Sequence, residues 1–206
     1  MRSDLSFHSK TKGVMKWTSN IDGLMFHLRS LSVRKASGAE VNPDAAFDQV
    51  KKQIKSIREK RNTVYFIGNG ASASIASHVS ADMAKNAHVH TEVFTDLCLI
   101  TAIANDLSYE EVFAEPLRRR MKKGDMLVVI SSSGNSPNLI RGAETARDLG
   151  GIVVTLSAMG EENKLRKMGT LNFYVPAQTY GMAETSHAAI LHYWIDRLIA
   201  GEERNG

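Results

Sequence analysis

The sequence of 206 residues is 43% apolar and 23% charged, enough apolar material for one buried core, and it carries a net charge of +4. Its longest apolar runs, such as Met126 to Ile130 and Ile152 to Leu156, are far too short to cross a bilayer, and the N-terminus has no signal-peptide run, so a soluble, cytoplasmic protein is expected. The single cysteine, Cys98, excludes a disulfide framework and reads as a small buried hydrophobe, while the scattered basic residues suit anionic substrates and call for neither nucleic acid nor a membrane partner.

Residues 1–13 are polar and without periodicity, which predicts a loose tail; residues 14–206 read as one domain. From Val14 to about Arg34, apolar residues including Leu24, Met25, Leu28 and Leu31 recur at helical spacing. A turn-rich break from Ser37 to Pro43 precedes a second amphipathic helix, through about Lys60, carrying Ala46, Phe47, Val50 and Ile54. Short β-rich runs then alternate with helical segments: Thr63–Ile67, Thr91–Phe94, Met126–Ser131, Ile152–Leu156 and Leu171–Val175. The basic run Arg118 to Lys123 falls at the polar end of one such helix, and Ala183 to Ala200 reads as a long final helix. The pattern predicts an α/β three-layer sandwich around a five-stranded parallel sheet, preceded by N-terminal helices. In such sheets ligands bind beyond the carboxyl ends of the strands.

The first strand runs into Gly68-Asn69-Gly70-Ala71-Ser72-Ala73-Ser74. Glycines let a backbone approach a ligand, a serine can cap the following helix, and a helix N-terminus favours an anion. By itself this is equally an ordinary turn, or a relaxed dinucleotide turn with Asp96 as the ribose ligand. The third strand decides, because it opens into Ser131-Ser132-Ser133-Gly134-Asn135-Ser136-Pro137-Asn138, four hydroxyls within six positions, with Pro137 suited to the first turn of a helix that Ser136 would cap. A dinucleotide fold needs no second serine loop, whereas a phosphate monoester does. No nucleotide cofactor is expected.

These loops, together with Leu99-Ile100-Thr101-Ala102-Ile103-Ala104-Asn105-Asp106 and the segment from Glu184 to His192, resemble the SIS-domain family and, within it, the phosphoheptose isomerase group. The resemblance implies a homotetramer with active sites between subunits, a phosphate anchored by Gly70, Ala71, Ser72, Ser131, Ser132, Ser133 and Ser136, and sugar hydroxyls held by Asn69, Asn105, Asp106 and Glu184. The family's arginine near Asn86 is missing from this sequence.

His78 and Asp82 are four apart on the helix after the first loop, about 40° apart around its axis, and Glu184 and His192 are eight apart on the last helix, about 80° apart. Two histidines and two carboxylates make a candidate zinc site, one ion per subunit, and the resemblance points to the same positions, where the group has His, Glu, Gln and His. His187, about 140° from His192, is assigned to a supporting or interface role, and His88 and His90 to an exposed strand edge. The implied reaction is aldose–ketose isomerisation of sedoheptulose 7-phosphate through an enediol, with Asp82 as base and His192 as its partner. A non-catalytic sugar-phosphate sensor, a regulator that binds the replication initiator, and an isomerase of another sugar phosphate remain alternatives.

Overall fold

A computed structural model describes residues 16–200. The tail expected over residues 1–13, and Val14 and Met15 of the first expected helix, lie outside the described residues. Helix α1 spans Trp17–Arg29 and ends there rather than near Arg34. The next residues show why: Ser32-Val33-Arg34 alternates half-buried, buried and half-buried, the pattern of a strand, with the β-branched Val33 turned fully inward. Strand β1 (Ser32–Arg34) turns back into β2 (Glu40–Val41) through Gly38, whose φ of +84° suits glycine. Asn42 starts α2 (Pro43–Glu59), its side-chain oxygen accepting the N–H groups of Asp44 and Ala45 at 3.0 and 3.3 Å.

Five strands follow at their expected places to within one residue: β3 (Thr63–Gly68), β4 (His90–Val93), β5 (Met126–Ser131), β6 (Ile152–Ser157) and β7 (Leu171–Tyr174). Between them run α3 (Ala71–Ala87), α4 (Leu97–Asp106), α5 (Ala114–Arg120) and α6 (Pro137–Asp148), and α7 (Tyr180–Ile199) follows β7. These strands are mutually parallel. The whole sheet has seven strands in the order β2-β1-β7-β6-β5-β3-β4, because the hairpin of β1 and β2 adds to it antiparallel, Val33 opposite Phe173.

Alternate residues of β3 and β5 face opposite layers. Val64, Phe66, Met126, Val128 and Ile130 pack with residues of α2, α3 and α7, while Tyr65, Ile67, Leu127 and Val129 pack with residues of α5 and α6. Burial on both faces is why these strands read as unbroken apolar runs.

The strand order also fixes where a ligand can sit. From β3 the chain moves outward to β4 through α3, on one face; from β5 it moves the opposite way to β6 through α6, on the other. β3 and β5 are neighbours, with Gly68 opposite Ile130, so the loops at their carboxyl ends emerge side by side and diverge. Such a switch point opens a crevice in a parallel sheet.

Candidate functional site

The first loop turns on glycine geometry. Gly68 is packed so closely that a Cβ there would lie 2.6 Å from the main-chain carbon of Ser72, and Gly70 has a φ of +55°. Gly70, not a serine, is the residue at the N-terminus of α3, and the main chain closes the turn through Ser72 N–H to the Asn69 carbonyl at 3.0 Å. Ser72 therefore does not cap the helix; it is buried within the first turn.

The second loop is also tightly determined. The Ser131 hydroxyl accepts the Gly134 N–H at 3.0 Å, the Ser133 hydroxyl accepts the Asn135 N–H at 3.3 Å, and the Ser132 carbonyl accepts the Ala158 N–H at 3.1 Å. Gly134 has a φ of +64° and its carbonyl accepts the Leu165 N–H at 3.0 Å. Pro137 opens α6 as expected, but Ser136, at the N-cap position, makes no side-chain cap hydrogen bond, so its hydroxyl is not used by the helix. The two loops are joined directly: the side-chain amides of Asn69 and Asn138 exchange hydrogen bonds of 3.0 and 2.9 Å.

Helix α3 carries His78 and Asp82 beyond the first loop, and α7 lies against α3. His78 Nε2 is 3.4 Å from Asp82 Oδ2, and the His78 and His192 rings have centroids 5.2 Å apart. One donor atom from each of His78, Asp82 and His192 lies within 4.8 Å of the others. Glu184, the fourth expected ligand, is half-buried and stands outside this cluster. Eight residues along a helix carry it about 12 Å from His192, which rotation about the axis alone does not reveal.

Other expected residues take different places. Asn105 and Asp106 stand exposed at the end of α4, the Asn105 amide donating to Asp106 Oδ1 at 2.8 Å. His187 is not at a surface: its ring is buried, and burial pushes its pKa down to about 4 against the opposing pull of a hydrogen bond with the Ser157 main chain. His88 ends α3 with a φ of +52°, and His90 begins edge strand β4 with its Nδ1 3.0 Å from the Thr63 hydroxyl. Cys98, expected inside, is exposed on α4. In the basic run, Arg118 and Arg119 bond to Glu115, and Arg120 pairs with Glu92, as on a solvated face. Neither α1 nor α4 buries a single residue, and they expose Trp17, Phe26 and Leu97 at 74%, 62% and 73%.

Sequence reasoning did not single out Asn163. It is buried under the second loop, donates to Ser157 Oγ at 3.1 Å and to the Gly160 carbonyl at 2.8 Å, and accepts the Arg166 N–H at 3.1 Å. Nothing in its local sequence marks this role.

A family model for the SIS domain matches residues 33–158, which includes both loops and both switch-point strands. The chain belongs to the SIS-domain family. A phosphoheptose isomerase of Helicobacter pylori strain Shi470 is 34% identical over 145 residues, covering 67% of this chain and 74% of that protein. Another, of Shewanella sp. strain ANA-3, is 30% identical over 172 residues, covering 80% and 87%. A solved phosphoheptose isomerase structure from Francisella tularensis superposes with a TM-score of 0.75 at 25% identity, covering 88% of this chain and 95% of that one. This SIS domain is thus a member of the phosphoheptose isomerase group, and the crevice at its switch point is the place to look for its substrate.

Proposed function

We propose that this chain is an aldose–ketose isomerase of a phosphorylated sugar, converting sedoheptulose 7-phosphate to a heptose 7-phosphate for surface-polysaccharide precursors. The observation that carries this reading is the gathering of His78, Asp82 and His192 from two helices, one of which begins at the first anion loop. An anion anchor alone serves a sensor equally well; a base and an imidazole beside one another serve proton transfer.

The donor set fits a divalent cation. Two imidazoles and a carboxylate are the ligands zinc takes at sites that keep one position open, and His78, Asp82 and His192 would hold one ion per subunit. When bound, the ion supplies positive charge that polarises a substrate carbonyl. Ser72, Ser131, Ser133 and Ser136 anchor the phosphate, together with the N–H groups around Gly70, Ala71 and Ser132. Asn69, Asn105, Asp106 and Glu184 receive the sugar hydroxyls. Asp82 takes the proton from the carbon beside the carbonyl and returns it to the former carbonyl carbon, while His192 moves the proton between the two oxygens. A carboxylate has two oxygens, so Asp82 can bind a cation through one and take the proton on the other.

The exposed apolar side chains of α1 and α4, Trp17, Phe26 and Leu97 among them, support a homotetramer, since a monomer would present them to water. No described helix is long and apolar enough to cross a membrane, and we place this single domain in the cytoplasm.

The test is conversion of sedoheptulose 7-phosphate, beside a panel of shorter ketose phosphates, by the purified protein before and after chelation and zinc reloading. Conversion of the seven-carbon sugar above the others is expected. Binding of the sugar phosphates without conversion would replace the isomerase by a sensor.

A further inference from the structure

The pairing of Asn69 with Asn138 bridges the two anion loops, and its chemistry is more restrictive than that of a single contact. Asn138 is 1% exposed, at the second position of α6. Its Oδ1 accepts from Asn69 Nδ2 at 3.0 Å and from the Leu139 N–H at 3.0 Å, and its Nδ2 donates to Asn69 Oδ1 at 2.9 Å. The Leu139 N–H, which also donates to the Ser136 carbonyl at 3.1 Å, can only donate, so the oxygen of Asn138 belongs on that side; a flipped amide would set two donors face to face. That choice passes across the pair. With Oδ1 of Asn138 fixed, Asn69 must turn its nitrogen to that oxygen and its own oxygen to Nδ2 of Asn138.

From this we infer that Asn138 is a positioning residue: it holds the loop after β3 against the loop after β5 and dictates which face of the Asn69 amide is left for substrate. After the reciprocal pair forms, Asn69 retains one N–H and one oxygen lone pair, in an orientation it cannot exchange. Asn138 itself, buried, has no part in contacting the sugar phosphate. The inference rests on the reading of these loops as the sugar-phosphate anchor. The spacing between loops, and hence the fit to a phosphate ester, is thereby set by a hydrogen-bonded pair whose members are 69 residues apart.

A double-mutant cycle on ligand affinity tests it. Dissociation constants for sedoheptulose 7-phosphate and for inorganic phosphate are measured calorimetrically on the parent, Asn69→Ala, Asn138→Ala and the double variant, with melting curves to show that each folds. Asn138→Asp is included because it keeps size and packing and still accepts from Leu139, but sets an oxygen against Oδ1 of Asn69. Loss of a buried pair predicts roughly tenfold weaker sugar-phosphate binding in each single variant. If Asn138 acts through Asn69, the double variant is no worse than about twofold beyond the weaker single one. Asn138→Asp should also weaken binding when measured at a temperature where its melting curve shows it folded. Additive losses in the double variant, or parental affinity in a folded Asn138→Asp, would overturn the positioning role while leaving the anchor reading intact. A parent that binds neither probe would overturn both.

Discussion

Replacing Gly134 with Ala perturbs the second loop at the point where it has least freedom. Its φ of +64° lies in the left-handed region, where a Cβ costs about 1–2 kcal/mol. Space is a separate obstacle: a Cβ at Gly134 would stand 2.1 Å from Asn163 Oδ1 and 2.8 Å from its Cβ, well inside van der Waals contact. Asn163 cannot swing aside freely. It is 3% exposed, and moving it breaks bonds to Ser157 Oγ, the Gly160 carbonyl and the Arg166 N–H, leaving buried polar groups unpaired at about 1–3 kcal/mol. The two effects together predict destabilisation of roughly 2–5 kcal/mol, or a melting temperature lower by about 5–15 °C for a chain of this size. Because the disturbed residues form the floor under Ser131 and Ser133, surviving folded protein should also bind sugar phosphate less tightly. Thermal denaturation with and without ligand reads both effects. A Gly134→Ala protein that melts with the parent and binds with parental affinity would refute the packing argument.

Asp82→Asn should lower turnover by about 10²–10⁴-fold with little change in phosphate affinity, since the proposed base is lost and the proposed anion loops remain; stopped assays with calorimetry separate the two. Glu184→Gln, which restores the residue of the phosphoheptose isomerase group outside the three-residue cluster, should keep zinc affinity and maintain or raise turnover. His187 predicts a pH effect on stability. Its folded pKa is depressed from 6.5 to about 4, so the unfolded chain takes up the proton first. The contribution is complete above pH 6.5 and is lost as pH falls toward 4, on the order of 3 kcal/mol, and His187→Leu should flatten denaturant-measured stability across that window. Replacing Leu97, 73% exposed on α4, with Asp should shift light-scattering mass toward smaller species while leaving the melting curve of the subunit nearly unchanged.

The central parallel strands were legible because burial on both faces writes a strand such as β5, Met126 to Ile130, as an unbroken apolar run between turn residues. The hairpin of β1 and β2 was not. Leu28 and Leu31 continue the helical period of α1 almost to its edge, and a strand of three residues gives too little alternation to compete. Cys98 was misplaced because the general tendency of a lone cysteine to be buried does not say which face of a helix it takes: Leu99, Ile100 and Ile103 pack against the core, while Cys98 lies on the exposed side of α4.

At the site, what the sequence shows is the inventory of groups, and what it hides is how they spend their hydrogen bonds. His78 and Asp82 could be paired from their spacing, because four residues bring two side chains over one another on one helix. Glu184 and His192 invited the same inference, yet eight residues add two turns of rise, and only His192 reaches the cluster. The serines likewise differ in ways that a count of hydroxyls cannot show. Ser131 and Ser133 accept N–H groups that shape their own loop, whereas Ser136 leaves its hydroxyl uncommitted at the head of α6. Asn69 and Asn138 go further: each looks like an independent polar residue in its own loop, and only the adjacency of β3 and β5 makes them one unit. The proposed anion site therefore belongs to the sheet topology as much as to its serines, because the loops acquire a fixed separation only when the strands beneath them are neighbours.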